Sequence, residues 1–351
     1  MKQTLILISQ RVLPLLFVLA FTVYAVIEVG HKPRVLVLHS YATGYSWTDN
    51  VSIGIRRVLD EYPYEVRWHY MDTKNHSEDN FKQRAARSAR AIIGHWSPDV
   101  IIAVDDNAQS LVSRHYLNRS DIRIVFAGVG NDPADYFKVN GAYASNVTGI
   151  LEIMPLDQIQ ETILMLFHRK KTTDKIRIFC ISDASPSAQS NRQQMLNFHW
   201  DKRIHLTTRT VTTFDEWKQA LKNEEHRQDL LFFTNYHTLA VPGVNPRNRP
   251  GYIIRWTLEH IRLPGMGGWG YFVEDGGMLA VGPSPYEQGE WAANAAHQII
   301  QSGAVHPESV GKYQHPGQFL VFMRSTVMKK FNVRLPSIYE AFARATDNCY
   351  Q

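Results

Sequence analysis

The chain has 351 residues, enough for about two domains, and its 44% hydrophobic and 20% charged residues exclude a disordered chain or a fibre. The formal net charge is only +5 and the basic residues are scattered, so the basic stripe of a nucleic-acid-binding protein is absent from the sequence. Two cysteines, Cys180 and Cys349, exclude a disulfide framework and a cysteine-based metal site, and leave open one bridge between them.

The N-terminus has the layout of a secretory signal. Lys2 and Arg11 precede an apolar run over residues 13–27, and small residues at the right spacing predict cleavage after Ala25. The run is short for a membrane span, which needs about 20 residues. An apolar stretch over residues 5–8 nevertheless keeps an uncleaved anchor as the alternative.

The location of the rest of the chain follows from this N-terminal segment. We expect residues 1–32 to be a signal peptide or a membrane anchor, and residues 33–351 to lie in the periplasm. The protein would be soluble after cleavage or held at the membrane by the anchor. No cysteine lies directly after the apolar run, which excludes attachment through a lipid-modified cysteine at that point.

Strands and helices alternate in the first half of the remaining chain. Continuous apolar runs predict buried strands, and apolar residues every three or four positions predict helices. The predicted strands are 34–40, 65–71, 99–104 and 122–127, and the predicted helices are 50–62, 78–95 and one that ends near 117. Continuous apolar strands between helices indicate a parallel sheet that is covered on both faces.

The same alternation restarts near residue 150. The predicted helices are 155–167, 187–198, 214–221, 249–260, 286–301 and 337–345, and the predicted strands are 176–181, 206–211, 229–234, 279–282 and 319–323. Two halves with this element order predict an α/β fold with two doubly wound parallel-sheet lobes.

Polar and aromatic residues follow many of the predicted strands. Ligands of open parallel sheets bind beyond the carboxyl ends of the strands. The candidate ligand-binding residues are Ser40, Tyr41, Tyr45, Ser46, Trp47, Asp105, Asp106, Asn107, Gly128, Asn131, Ser182, Ser185, Ser187, Asn235, Tyr236, Trp269, Tyr271 and Glu274. Helix N-capping is the alternative role for several of them, Asn107 and Ser187 included.

Five segments of the chain resemble a known family. They are RVLVLHSYATGYSWTDN, AVDDNA, VFAGV, GGMLAVGPSPYEQGEWAANAAHQIIQSG and FLVFMRSTVMKKFNVRLPSIYEAFA. In this order they resemble the ABC-transporter substrate-binding proteins with a type 1 periplasmic-binding fold, over nearly all of residues 33–345. Within that family the chain is similar to uncharacterised amino-acid-like binders and to extracytoplasmic sensing regions. It departs from the family pattern in two ways. Its loop 105–107 is acidic, whereas serine and threonine residues usually bind a carboxylate there, and it lacks a lipid-attachment cysteine.

The resemblance implies two lobes that are joined by hinge strands and that close around a ligand in the cleft. The first lobe would comprise residues 33–149 plus 280–310, and the second lobe residues 150–279 plus 311–345. The implied hinge strands are 147–149, 281–282 and 312–318. We expect a monomer that needs no cofactor.

Enzymatic and metal-binding functions have weak support in the sequence. Residues 44–48 resemble the nucleophile elbow G-x-S-x-G of a hydrolase that would use Ser46, but the last glycine is missing. The histidines lack the spacing of a zinc-binding helix, and the glycine-rich run 265–277 lacks the strand–GxGxxG–helix context of a dinucleotide site. We therefore predict a binding protein without catalytic activity.

The predicted ligand is a small polar molecule with a flat or apolar part, such as an amino acid. Asp105 or Asp106 would pair with its ammonium, and aromatic faces from both lobes would contact its body. The serines that begin the helix at 187 would bind a carboxylate. The predicted partner is the membrane permease of an ABC importer, and the alternative is a membrane sensor such as a kinase or a cyclase.

Overall fold

The structure is a computed structural model that describes residues 12, 14–23, 32–306 and 310–351. The predicted cleavage point after Ala25 and the basic residues Lys2 and Arg11 lie outside these residues. Residues 14–23 are helical and exposed. Within the described ranges, no helix has both the length and the apolar character needed to cross a membrane.

The first half of the chain builds a five-stranded parallel sheet. The strands of this half are β1 (Arg34–His39), β2 (Glu65–Tyr70), β3 (Val100–Val104), β4 (Arg123–Val129), β5 (Lys138–Val139), β6 (Ala142–Tyr143) and β7 (Val147–Leu151). The sheet has the order β2-β1-β3-β4-β7, and β5 and β6 form a separate antiparallel hairpin. All five side chains of β3 are buried, because helices cover both faces of the sheet.

The helices of this half are α1 (Ser46–Leu59), α2 (Asp79–Trp96), α3 (Asp106–Leu111) and α4 (Ala134–Phe137), and a 3-10 turn covers Ser113–Tyr116. The sequence pattern predicts that α1 begins at residue 50, but it begins at Ser46. Tyr45 precedes it without a side-chain cap, and Gly44 N–H instead donates to the carboxylate of Asp49 (3.1 Å).

Side chains of β1 alternate between the two faces of the first sheet. Val35 and Val37 share a buried cluster with Ile55 of α1, whereas Leu36 shares a second cluster with Ile93 of α2. Because side chains alternate between the faces and both faces are buried, the run RVLVLH is apolar at nearly every position.

The second half builds a seven-stranded sheet. Its strands are β8 (Ile176–Ser182), β9 (Ile204–Thr210), β10 (Leu230–Phe233), β11 (Gly265–Gly267), β12 (Leu279–Pro283), β13 (Phe319–Arg324) and β14 (Cys349–Tyr350). Their order is β14-β13-β12-β11-β10-β8-β9, and all neighbours are parallel except β12 and β13. The sequence pattern does not predict β11, because its glycines carry no apolar signal. A Cβ atom on Gly267 would lie 2.6 Å from the side chain of Phe272.

The remaining helices are α5 (Leu156–Leu166), α6 (Pro186–Asn197), α7 (Phe214–Glu224), α8 (Arg249–His260), α9 (Tyr271–Glu274), α10 (Pro285–Ser302), α11 (Ser325–Lys330) and α12 (Ser337–Ala345). Helix α10 follows a strand of the second sheet but packs on α1 and the first sheet. Glycines make this contact close, since a Cβ atom on Gly54 would lie 2.2 Å from Tyr286 O and one on Gly289 would lie 2.0 Å from Val51 O. We call the first sheet with α1–α4 and α10 the first lobe, and the second sheet with its helices the second lobe.

The chain passes between the lobes after β7, after β12 and before β13. The first and third passages lie side by side, because Gln314 N–H donates to Gly149 O and Leu151 N–H donates to Gln314 O, both at 2.9 Å. The domain boundaries and hinge strands given above stay a prediction, and hydrogen bonds place the whole of β12 in the second sheet. Two parallel-sheet α/β lobes confirm the predicted fold class.

Candidate functional site

The loops at the carboxyl ends of the two sheets face each other across a cleft. Tyr45, which follows β1 in the first lobe, lies 5.5 Å from the ring of His237 and 6.1 Å from the ring of Tyr271 in the second lobe. The cleft is therefore where the topology of open parallel sheets predicts a ligand site.

Several connected spaces make up the cleft. At its centre is a cavity of about 20 Å³ lined by Tyr41, Tyr45, Trp47, Lys74, Asp105, Glu152, Ser187, Asn235, Trp269 and Tyr271. Cavities of about 240 Å³ and 270 Å³ flank it and share Ser46, Tyr271 and Glu274. A cavity of about 460 Å³ lies elsewhere, at the amino-terminal edge of the first sheet, beside Arg34 and Arg123.

Aromatic rings from both lobes line the centre of the cleft. Tyr41 meets Tyr45 edge to face at 5.7 Å in the first lobe, and Trp269 stacks on Tyr271 at 6.2 Å in the second. Burial raises the pKa of Tyr41, Tyr45 and Tyr271 well above the usual range, so these phenols stay neutral near pH 7. Such faces suit a ring, an aliphatic body or a cation.

Asp105 has one carboxylate oxygen anchored and one without a partner. Trp47 Nε1 donates to Asp105 Oδ1 at 3.1 Å, whereas the buried Oδ2 has no hydrogen-bond partner in the described chain. The backbone of Asp105 has a φ of 66°, and its carboxylate packs against Gly128, where a Cβ atom would lie 3.0 Å from Oδ1. Burial raises the pKa of Asp105, as does the neighbouring Glu152, whereas the ammonium of Lys74 opposes the shift.

Asp106 is held inside the first lobe. Its Oδ1 accepts hydrogen bonds from the Tyr136 hydroxyl (3.1 Å) and from Asn131 N–H (3.4 Å). Burial raises the pKa of Asp106, and these hydrogen bonds oppose the rise. Asp106 lines a smaller space of about 30 Å³ and not the central cavity.

Glu152 and Lys74 line the central cavity, and sequence reasoning missed both. Glu152 follows β7 and accepts a hydrogen bond from Trp269 Nε1 (2.8 Å), which connects the lobes. Burial, and then the charge of Asp106, raise the pKa of Glu152 to about 8. Burial lowers the pKa of Lys74, and the nearby carboxylates, Asp105 first, oppose this.

A polar group of the second lobe closes one side of the cleft. The Tyr236 hydroxyl donates to Asp275 Oδ2 (2.6 Å), and His237 Nε2 lies 3.6 Å from the same oxygen. Burial raises the pKa of Asp275 to about 7 and lowers the pKa of His237 well below its usual range. His237 and Asp275 line the 240 Å³ cavity, whereas Tyr236 packs behind it.

Several candidate residues of the first lobe have structural partners. Ser40 Oγ donates to Val104 O (2.7 Å) and accepts from Ala108 N–H (2.8 Å), which fixes the start of α3. The remaining contacts are Asn107 Nδ2 to Thr73 Oγ1 (2.9 Å), Gly128 N–H to Gln288 Oε1 (2.9 Å) and Asn131 Nδ2 to the Tyr136 hydroxyl (2.9 Å). These residues hold the loops that carry Asp105 and Lys74.

The serines after β8 differ in role. Ser185 caps α6, since its Oγ accepts from Ala188 N–H (3.3 Å) and donates to Asp183 Oδ1 (2.5 Å). Ser182 is buried at the end of β8, and Ser187 lines the cleft. Asn235 also lines the cleft, with its Oδ1 bonded to Asn191 Nδ2 (2.8 Å).

Ser46 contacts a carboxyl group, and among the described residues no hydrogen bond joins it to a histidine. It begins α1, and a hydrogen bond from Ser46 opposes the rise that burial causes in the pKa of Glu274. Ser52 Oγ lies 3.0 Å from His39 Nε2, but His39 is fully buried and has no access to solvent. Among the described residues, no group of three or more His, Cys, Asp or Glu side chains could hold a metal ion.

The missed residues carry a signal that was available in the sequence. Lys74 comes four residues after β2 and Glu152 directly after β7, so both satisfy the rule that ligands bind beyond the carboxyl ends of parallel strands. Both cysteines are free thiols, so the bridge that the sequence left open is absent.

Comparison with solved structures shows the fold. A conserved domain protein from Vibrio cholerae is 17% identical, with a TM-score of 0.66 over 92% of this chain and all of that one. An ABC domain from Streptococcus pneumoniae, solved in complex with L-Trp, is 13% identical, with a TM-score of 0.66 over 89% of this chain and 98% of that one. A complex of the TorS sensor domain with TorT matches at 9% identity, with a TM-score of 0.53 over 85% of this chain and 96% of that one.

Comparison with protein families gives the assignment. No curated protein matches the sequence. Residues 47–344 match the family described as ABC transporter substrate binding protein, a span that includes both sheets except β1 and β14. The neighbours in structure have the same two-lobed type 1 periplasmic-binding fold that the sequence resemblance implied. The chain belongs to the ABC transporter substrate binding protein family.

Proposed function

We propose that this protein captures a small polar ligand with an ammonium group and a flat or apolar body, an amino acid or a similar molecule, in the cleft between its lobes. The observation that carries the proposal is the central cavity, where Asp105 Oδ2 has no partner among the described residues and aromatic rings from both lobes surround the carboxylate. The L-Trp complex of the Streptococcus pneumoniae protein supports a ligand of this class.

Electrostatics favour a cationic group at the centre of the cavity. Asp105 and Glu152 both have raised pKa values because burial disfavours their charged forms. A ligand ammonium would add a second positive charge to that of Lys74 for the two carboxylates, and it would supply the hydrogen-bond donor that Asp105 Oδ2 lacks among the described residues. A hydrogen bond to a charged group contributes about 1.5–3 kcal/mol. Trp47 and Trp269 would contact the body of the ligand.

A thermal-shift screen of residues 33–351 against amino acids, nucleosides and sugars tests the ligand class. A ligand at 100 times its Kd adds about 2.7 kcal/mol of stability. We expect one or more amino acids to raise the Tm, and the Asp105→Asn variant to lose that shift. Stabilisation by sugars or nucleosides alone would contradict the proposed ligand class.

Delivery to the membrane permease of an ABC importer is the proposed role, and family membership supports it. We further propose export to the periplasm through the N-terminal segment, a single-chain binding unit and no catalytic turnover. An enzyme reporter that is active only outside the inner membrane, fused after residue 40, should be active. Activity of a cytoplasm-specific reporter at that junction would contradict export.

Ligand sensing for a membrane signalling protein is the second candidate role. The similarity to the TorS–TorT complex favours it, because a protein of this fold stands there beside a sensor domain. Co-purification of the tagged chain from membranes distinguishes the roles. A permease and its ATPase would support import, and a sensor kinase or cyclase would support sensing.

A further inference from the structure

Lys74 is fixed in the cleft by the loop that follows β2. Both the N–H and the hydroxyl of Thr73 donate to Ser40 O, at 2.9 Å and 2.7 Å. Asn107 Nδ2 donates to the same hydroxyl at 2.9 Å. Asp72, two residues before Lys74, has a φ of 53°, which turns the chain out of the strand direction. The loop is therefore anchored at the first sheet's carboxyl edge to the residues that follow β1 and β3, and Lys74 lines the cleft.

The ammonium of Lys74 lies among three tyrosine rings. Its Nζ is 4.4 Å from the ring centre of Tyr41, 5.0 Å from that of Tyr45 and 6.0 Å from that of Tyr271, which belongs to the other lobe. In the described part of the chain this ammonium has no ion pair and donates no hydrogen bond. Its donors are thus available to an acceptor that enters the cleft, while the rings hold its charge in place.

Lys74 also lies where three spaces of the cleft meet. It lines the central cavity with Asp105 and Glu152, the 240 Å³ cavity, and the smaller space on the far side of Tyr41. That smaller space is also lined by Lys82 and by Ser187 in the first turn of α6. Asp105 and Glu152 therefore line one of the spaces beside Lys74. Another is lined by Lys82, by hydroxyl donors and by Asp106, whose Oδ1 is already bonded to Tyr136 and Asn131.

We propose that Lys74 is the specificity-determining residue of this cleft, and that it selects ligands carrying a carboxylate beside their ammonium over amines that lack the carboxylate. This inference rests on the proposed function and adds the second charge of the ligand. The ligand ammonium faces Asp105 and Glu152, and its carboxylate accepts hydrogen bonds from Lys74. An amine without a carboxylate brings a second positive charge next to Lys74 and accepts no hydrogen bond from it.

Matched pairs of probes test this selectivity. The pairs are L-tryptophan with tryptamine, L-tyrosine with tyramine, and L-leucine with isoamylamine, and the members of each pair differ only in the carboxylate. We expect the parent protein to bind the amino acid of at least one pair about 10- to 100-fold more tightly than its amine, as measured by isothermal titration calorimetry. Lys74→Met should reduce that ratio to near one, and Lys74→Arg should retain most of it.

Controls separate a specific effect from a change in folding. Lys329→Met removes an exposed lysine at the end of α11 and should leave the ratio unchanged. Circular dichroism and the Tm establish that each variant is folded, and Lys74→Gln replaces Lys74→Met if the latter does not fold.

Two other results would overturn the inference in different ways. Equal affinity of the parent for both members of a pair, or an undiminished ratio in Lys74→Met, refutes the role of Lys74 and leaves the proposed function standing. Failure of the parent to bind any member of the three pairs refutes this inference, and failure of every amino acid in the thermal-shift screen to raise the Tm refutes the proposed function as well.

Discussion

Replacing Asp105 with asparagine removes the charge of this side chain and keeps its shape. The amide oxygen of asparagine can accept the hydrogen bond that Trp47 Nε1 now donates at 3.1 Å. Asparagine also tolerates the positive φ of 66° better than most residues. The variant therefore tests the charge at Asp105 Oδ2, the oxygen that has no partner in the described chain.

The expected loss of affinity follows from one charge-assisted hydrogen bond. Such a bond contributes about 1.5–3 kcal/mol, so the Kd for an amino-acid ligand should rise about 10- to 150-fold. Stability should change by less than about 1 kcal/mol, because loss of a buried charge and loss of its attraction to Lys74 oppose each other. Calorimetric titration measures the first quantity and urea denaturation without ligand measures the second.

Asp106→Asn is the matched control for this experiment. It makes the same chemical change one residue away, but Asp106 Oδ1 is already bonded to Tyr136 and Asn131. We expect a much smaller change in Kd. Equal losses in both variants, or ligand binding by Asp105→Asn as tight as that of the parent, would refute the assignment of Asp105 as the ammonium partner.

Three further predictions concern pH, packing and thiol chemistry. Affinity for an ammonium ligand should rise with pH toward about 8, by at most about tenfold per pH unit. The reason is that the ligand cation favours ionised Glu152, so binding releases the proton of the Glu152 carboxyl. Glu152→Gln should flatten this profile in calorimetric titrations. Gly289→Ala should lower the free energy of unfolding by about 1–3 kcal/mol in urea, since its Cβ atom would lie 2.0 Å from Val51 O, whereas Gly94→Ala, in a helix with open space, should not destabilise. Ellman's reagent should modify the half-buried Cys349 in the folded protein and spare Cys180, whose pKa burial raises to about 12; modification of Cys180 at the same rate would contradict its burial.

Local sequence determined most of the elements and the loops that bear the site. The strands β1, β3 and β10 are continuous apolar runs, which period and composition identify without knowledge of neighbours. Because parallel strands present their carboxyl ends at one edge, the sequence also predicted that Tyr45 and Asp105 lie at the edge where a ligand is expected. These inferences need only short-range patterns and one topological rule.

Tertiary structure decided which of these residues face the cleft. Asp105 and Asp106 are equivalent in the sequence, but Asp105 has a positive φ and its carboxylate contacts Trp47 in the cleft, whereas Asp106 bonds within its own lobe. The sequence pattern also gave no reason to place Lys74 against Tyr271, because they are 197 positions apart and meet only when two sheets face each other. Contacts between lobes depend on strand order and on the passages of the chain between the sheets, and local periodicity carries no information about either.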